Sequence, residues 1–187
     1  MRKAAINLFA RRGFHATSTA EVARLAEVSE GTVFYYFGNK EGILLALLDE
    51  VNQQYHQGVE RLMAEAPDGM AAMLACVQFH FRLARQNSRL LTLLVRDLPA
   101  SLGRGDSKCR RVVREHNTLM LEAMSQGLRR GQADGSVAPE LPVAETALLI
   151  RSLLIGATRM LLLKLAPEVD YADQAVEFCR RALAPSR

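Results

Sequence analysis

The stretch Gly13-Phe-His-Ala-Thr-Ser-Thr-Ala-Glu-Val-Ala-Arg-Leu-Ala-Glu-Val-Ser-Glu-Gly-Thr-Val-Phe-Tyr-Tyr-Phe-Gly-Asn-Lys-Glu-Gly-Ile-Leu-Leu45 decides how the rest of the chain is read. Ser18, with Glu21 three residues on, makes a capping box, which starts a helix running to about Glu27. Ser29 is a second N-cap, for a helix that continues to about Phe37. Only Val28 and its neighbours separate the two, which is helix-turn-helix spacing. Ala23 is small enough for the second helix to cross closely. Val22, Ala26, Val28, Val33 and Phe37 are the apolar contacts expected to lock the pair, and Phe34 is assigned to the same core.

Outward from this pair, the apolar positions keep a helical period in both directions. Ala5, Leu8 and Phe9 stripe a short first helix that stops at Gly13. Gly38-Asn39 breaks the chain after Phe37, and Asn39 caps a long fourth helix striped by Leu44, Leu47, Leu48, Val51, Tyr55, Val59 and Leu62. Further helices are predicted over about 68–85, 88–97, 107–130, 143–165 and 171–184. The clearest loop is expected at 99–105, and a glycine-rich stretch at 131–139 should end the seventh helix. The expected fold is all-α with about nine helices: a three-helix head in residues 1–45, then a helical body in 46–187. The eighth helix is apolar on nearly all sides, and such a helix must be covered on all sides. A second copy of the chain, meeting the first through its C-terminal helices, is the expected cover.

Composition agrees with an all-α globular chain. Of 187 residues 49% are hydrophobic and only 6% aromatic, with no Trp, which argues against sandwiches and barrels. The net charge is +4, unevenly spread. Residues 1–40 hold Arg2, Lys3, Arg11, Arg12, Arg24 and Lys40 against Glu21, Glu27 and Glu30. That local excess hints at an anionic partner. Cys76, Cys109 and Cys179 are odd in number and far apart, so neither a disulfide framework nor a zinc spacing is available, and a reducing compartment fits best. The most apolar stretch, Leu148 to Leu163, contains Arg151 and Arg159 and suits a buried helix better than a membrane span. Both arginines are expected at the rim of the dimer interface or paired with acids there.

The third helix has the form of a recognition helix, whose N-terminal positions meet base edges. Gly31 removes side-chain bulk there, and Thr32 offers a hydroxyl and a methyl. Lys40 starts the fourth helix, so its ammonium and the helix N-terminus can face one phosphate. Taken singly, Ser29, Gly31, Thr32, Tyr35 and Lys40 equally describe an ordinary capped helix with aromatic packing. In this order and spacing they point to DNA.

Residues 13–45 closely resemble the DNA-binding signature of the TetR family of bacterial transcriptional regulators. Residues 127–135, Gly-Leu-Arg-Arg-Gly-Gln-Ala-Asp-Gly, look like the family's junction before its dimerisation helices. The resemblance implies a homodimer with two DNA-reading heads and a ligand-binding, dimerising body. It places Thr17, Ser18, Tyr35, Tyr36 and Lys40 at phosphates, and Glu30, Gly31 and Thr32 near bases, with Ser29 capping the reading helix. It further implies a cytoplasmic, prokaryotic regulator that associates with the nucleoid when bound to DNA. Such a protein is most simply a repressor, held on a pseudo-palindromic operator in double-stranded DNA and released by a small molecule. Glu27 stands where many members have a turn glycine, so left-handed backbone there would cost roughly 1 kcal/mol.

In the body, Phe79, Phe81, Met120 and Met124 are candidate pocket lining, with His116 and Asn117 as polar anchors. Core packing explains the methionines nearly as well. His80 and His116 are weighed as ligand or proton-sensing groups against hydrogen-bonded structural histidines. Cys109, beside Lys108, Arg110 and Arg111, would have a depressed pKa if exposed, which raises redox sensing. No P-loop, G-x-S-x-G or H-E-x-x-H occurs, nor paired carboxylates near a histidine, so no catalysis, metal or cofactor is expected. The alternative is a helical ligand-binding or interaction protein with a vestigial head.

Overall fold

Local chemistry sets the first helix boundaries. α1 (Arg2–Arg12) ends at Gly13, whose φ of 85° leaves the helical region while its N–H still donates to the Phe9 carbonyl at 2.9 Å. α2 (Thr19–Leu25) starts with both halves of its capping box formed. Ser18 Oγ accepts from the Glu21 N–H at 3.2 Å, and the Ser18 N–H donates to Glu21 Oε2 at 2.9 Å. Ser29 Oγ accepts from the Thr32 N–H at 3.1 Å to open α3 (Glu30–Phe37). Asn39 Oδ1 accepts from the Gly42 N–H at 2.8 Å at the head of α4 (Lys40–Glu65). Between α2 and α3, Glu27 takes the left-handed φ of 55° that a glycine would adopt without strain.

The computed structural model describes residues 1–102, 108–166 and 168–185, of which 96–102 are described by their backbone only. Among the described residues α5 (Gly69–Gln86), α6 (Ser88–Leu102), α7 (Lys108–Asp134), α8 (Val143–Leu162) and α9 (Tyr171–Leu183) complete nine helices with no strand. The fold is all-α. None of the described helices is long and apolar enough to cross a membrane.

Two expected breaks move. α6 continues through Pro99 to Leu102, because a proline removes one donor from a helical ladder without ending it when both flanks stay helical. Of the loop expected at 99–105, residues 103–105 lie outside the described residues. α7 likewise passes Gly131 and ends only at Asp134, before Gly135 with φ 77°. Gly131 has a packing task instead: a Cβ on Gly69 would collide with its backbone, so the two glycines let α5 and α7 touch there.

The helices gather into two compact units, one comprising 1–53 with 87–115, the other 54–86 with 116–187. α6 and the start of α7 group with the N-terminal helices in the first of these units. In the first unit Phe9, Val22, Val33, Ile43 and Leu44 are fully buried, joined by Leu90 and Leu93 of α6 and Cys109 of α7. Each such side chain contributes about 1.5–3 kcal/mol by leaving water.

In the second unit α5 packs chiefly on α9 and α8, with Met73, Val77, Phe81, Met120, Leu128, Leu154 and Leu183 fully buried. The residue 127–135 junction holds helix ends. Arg130 donates to the Met63 and Ala66 carbonyls at 2.7 and 2.6 Å, satisfying orphan acceptors at the end of α4. Asp134 Oδ2 and Ser136 Oγ accept from the Gly69 and Met70 N–H groups at 2.8 and 3.0 Å, capping α5. The Ser136 and Gly69 hydrogen bonds hold the Asp134 carboxyl below its ordinary pKa.

Candidate nucleic-acid interface and body cluster

Val33 is the one residue of α3 that is buried; Glu30, Gly31, Phe34, Tyr35 and Tyr36 are exposed. Turned inward, Val33 anchors the helix to α2 and leaves its N-terminal end open. Glu30 accepts from the Thr19 hydroxyl at 3.1 Å, which ties α3 to α2. A Cβ on Gly31 would meet nothing closer than Ser29 Oγ at 3.7 Å, so the missing side chain leaves open space outside the helix. The Thr32 and Ser29 hydroxyls lie 2.8 Å apart, and Thr32 keeps its methyl and a lone pair for an outside partner.

Tyr35 and Tyr36 are 83% and 64% exposed, their rings edge-to-face at 5.2 Å. A phenol that exposed, at the end of a short helix, is placed to donate to a partner outside the chain. Lys40 donates to the His15 carbonyl at 3.0 Å and lies 4.8 Å from the centre of the Phe14 ring. Those contacts fix where the ammonium sits while two of its three donors stay available.

Three expectations change here. Thr17 is buried, and its hydroxyl donates to the Gly13 carbonyl at 2.9 Å, so it secures the α1–α2 turn rather than offering a side-chain donor outward. The Ser18 hydroxyl is engaged in the capping box, although the residue itself stays exposed. Phe34 is half exposed and not part of the core, while Phe37 packs against it as expected. α3 is too short to bury two aromatic faces as well as Val33.

A polar cluster lies inside the second unit. Tyr55 of α4 is its centre: its ring stands 5.7 Å from Phe79, 5.8 Å from His80 and 5.2 Å from His116. His80 Nε2 hydrogen-bonds the Thr158 hydroxyl at 2.8 Å. Arg151 of α8 donates from Nε to Asn117 Oδ1 at 3.1 Å. Burial drives the His80 pKa down to about 3 and that of His116 to about 4, with the Arg151 charge adding to both. Burial likewise lifts the Tyr55 phenol above its ordinary value, the Arg151 charge opposing it.

Of the candidate pocket residues, Phe79, His116 and Asn117 meet in this cluster. Phe81 is fully buried with its ring 5.5 Å from His80, and Met120 and Met124 are buried one and two turns along α7 from His116. Arg151 is not at an interface rim: it is 8% exposed, inside the unit. Tyr55 and Thr158 carried no separate signal in the sequence, since one reads as a stripe residue and the other as helix filler. An arginine inside an apolar helix was the available signal. Cys109 is buried, and burial, then Glu41 and Asp49, raise its pKa, so its basic neighbours do not activate it. No group of three or more metal-ligating side chains occurs among the described residues.

Residues 2–47 match the family of bacterial regulatory proteins named tetR. The chain is 24% identical over 129 residues to the fatty acid metabolism regulator protein of Bacillus subtilis, covering 69% of this chain and 66% of that one. It is also 24% identical over 152 residues to the transcriptional repressor NicS of Pseudomonas putida, covering 81% and 70%. Among solved structures, the fatty acid degradation regulator FadR of Bacillus halodurans superposes with a TM-score of 0.80 at 21% identity, covering 97% of each chain. FadR of Bacillus subtilis, solved with stearoyl-CoA, superposes with a TM-score of 0.78 at 20% identity, again over 97% of each.

Proposed function

Since the chain belongs to the tetR family of bacterial regulatory proteins, we propose that it is a repressor that binds a pseudo-palindromic DNA operator as a homodimer and leaves it on binding a small molecule. Residues 1–45 are its reading head. Residues 46–187 are the effector-binding and dimerising body, and the protein works in the cytoplasm, on the nucleoid. The observation that carries this reading is the open N-terminal end of α3, with Gly31 and Thr32 at its tip and exposed Tyr35 and Tyr36 behind. Tyr35, Tyr36 and Lys40 hold phosphates and set register; Glu30, Gly31 and Thr32 meet the bases.

Dimerisation is supported by the face α8 leaves uncovered. Leu148, Leu149, Ile155 and Met160 are 54, 70, 50 and 37% exposed, and Phe178 of α9 is 59% exposed. Such apolar exposure on two packed helices marks an association surface. Two heads related by the dimer axis then meet half-sites about 34–36 Å apart, or a multiple of that. An effector that binds the off-DNA arrangement better shifts the population by its differential affinity and no more. Relatives named as fatty-acid regulators support an effector with a large apolar part.

The test is selection of duplexes from a random pool by the purified dimer, repeated with Thr32→Ala. A palindromic consensus whose preference changes at the contacted positions in the variant is the expected result. Recovery of no consensus by a competent dimer overturns the reading.

A further inference from the structure

Among the described residues, Arg151 is a buried cation without a buried anion. It is 8% exposed, its Nε is satisfied by the neutral Asn117, and its Nη1 has no hydrogen-bond partner. Each ion pair found among the described residues involves another residue. The groups that feel its charge are Tyr55, His80 and His116, and none is anionic at neutral pH. All three also have a buried polar atom left over: the Tyr55 hydroxyl, His80 Nδ1 and His116 Nδ1. Tyr55 itself is only 4% exposed.

A protein that only needed to fill this space would use apolar side chains, because an uncompensated buried charge costs several kcal/mol. A guanidinium has five N–H donors in a planar fork that matches a carboxylate in bidentate geometry. The phenol adds a further donor to a carboxylate oxygen. His116 Nδ1 either donates as its N–H tautomer or accepts through a bridging water. The surrounding side chains are apolar: Phe79 against Tyr55, Phe81 against His80, and Leu154 one turn from Arg151.

Resting on the reading of residues 46–187 as an effector-binding body, we infer that the effector is an amphiphile carrying a free carboxylate, which pairs with Arg151 and accepts from the Tyr55 hydroxyl while its apolar part lies among Phe79, Phe81 and Leu154. The carboxylate is the missing counter-charge of the second unit. An ester, an alcohol or a thioester of the same chain length supplies no charge there and binds more weakly. Loss of the acid group is therefore the chemical event that switches recognition off.

The test uses the full-length protein without DNA. Binding of straight-chain carboxylates from hexanoate to hexadecanoate, and of benzoate and phenylacetate, is measured by calorimetry and thermal shift. Each is paired with its alcohol and each acyl chain with its coenzyme A ester. At least one carboxylate is expected to bind about tenfold or more tighter than its alcohol and its thioester. Arg151→Met removes that preference, and Tyr55→Phe reduces it. Without ligand, Arg151→Met is expected to melt at the wild-type temperature or above, because it deletes an unpaired charge and keeps the stem.

Carboxylates that bind no better than their alcohols overturn the inference, as does a preference that survives Arg151→Met. A marked drop in the melting temperature of unliganded Arg151→Met overturns it as well, since it means the arginine is satisfied within the fold. DNA affinity of the unliganded wild type is measured alongside: its absence counts against the regulator reading, whereas a lost carboxylate preference with intact DNA binding counts against this inference alone.

Discussion

Lowering the pH from about 6.5 to about 5 protonates histidines in the unfolded chain that the fold keeps neutral. His80 and His116 have folded pKa values near 3 and 4, pushed down first by burial and then by the Arg151 charge. In the unfolded chain both titrate near 6.5. Between these limits the unfolded state binds more protons, so stability rises with pH. The contribution is fully present above about pH 6.5 and is lost as the pH falls towards the folded values. Each histidine contributes a slope approaching 1.4 kcal/mol per pH unit, so the pair should remove roughly 3 kcal/mol between pH 6.5 and 5. That window isolates them, because Glu21, Asp134 and Asp170, whose pKa values are lowered in the fold, have ordinary values below it. Urea unfolding at constant protein concentration across the window reads the loss directly, and removing the Thr158 hydroxyl with Thr158→Val should leave the slope in place. Stability that stays flat from pH 6.5 to 5 would refute the reasoning, for it would mean that both imidazoles already carry a proton or reach solvent in the folded protein.

Two further outcomes follow from single residues. Replacing Glu27 by Gly should raise unfolding stability by up to about 1 kcal/mol, since φ 55° strains a side chain there and suits a glycine; a loss of stability in urea would show that the side chain is held favourably in that turn. Leu149→Glu, at the most exposed apolar position of α8, should turn the dimer into a monomer in sedimentation and so abolish operator binding with helicity retained, while a variant that still sediments as a dimer would place the interface elsewhere.

The head was legible because its signals are local. Ser18 with Glu21, Ser29 and Asn39 act within three residues of themselves, and each cap formed where its spacing placed it. Glu27 was readable only through the family resemblance, which puts a turn glycine at that position. What the sequence did not disclose depends on distant chain. Thr17 looks like a surface hydroxyl until the Gly13 carbonyl comes beneath it. Gly131 looks like a helix stop until α5 needs the space. Pro99 is a breaker by its own chemistry and is carried inside α6 all the same. Arg151 is the sharpest case: periodicity places it on an apolar helix but does not say which way it turns, and the cluster of Tyr55, His80, His116 and Asn117 exists only once four helices meet.

The regulator reading is tested most directly by the salt dependence of DNA binding. Anisotropy of the wild-type dimer on its selected duplex, across a series of salt concentrations, should show affinity falling steeply and linearly on logarithmic axes. Lys40→Ala should weaken every duplex alike and reduce the slope by about 0.9 for each phosphate the lysine no longer neutralises. Binding that ignores salt, or a Lys40→Ala protein with the wild-type slope, would contradict the placement of the head on the DNA backbone.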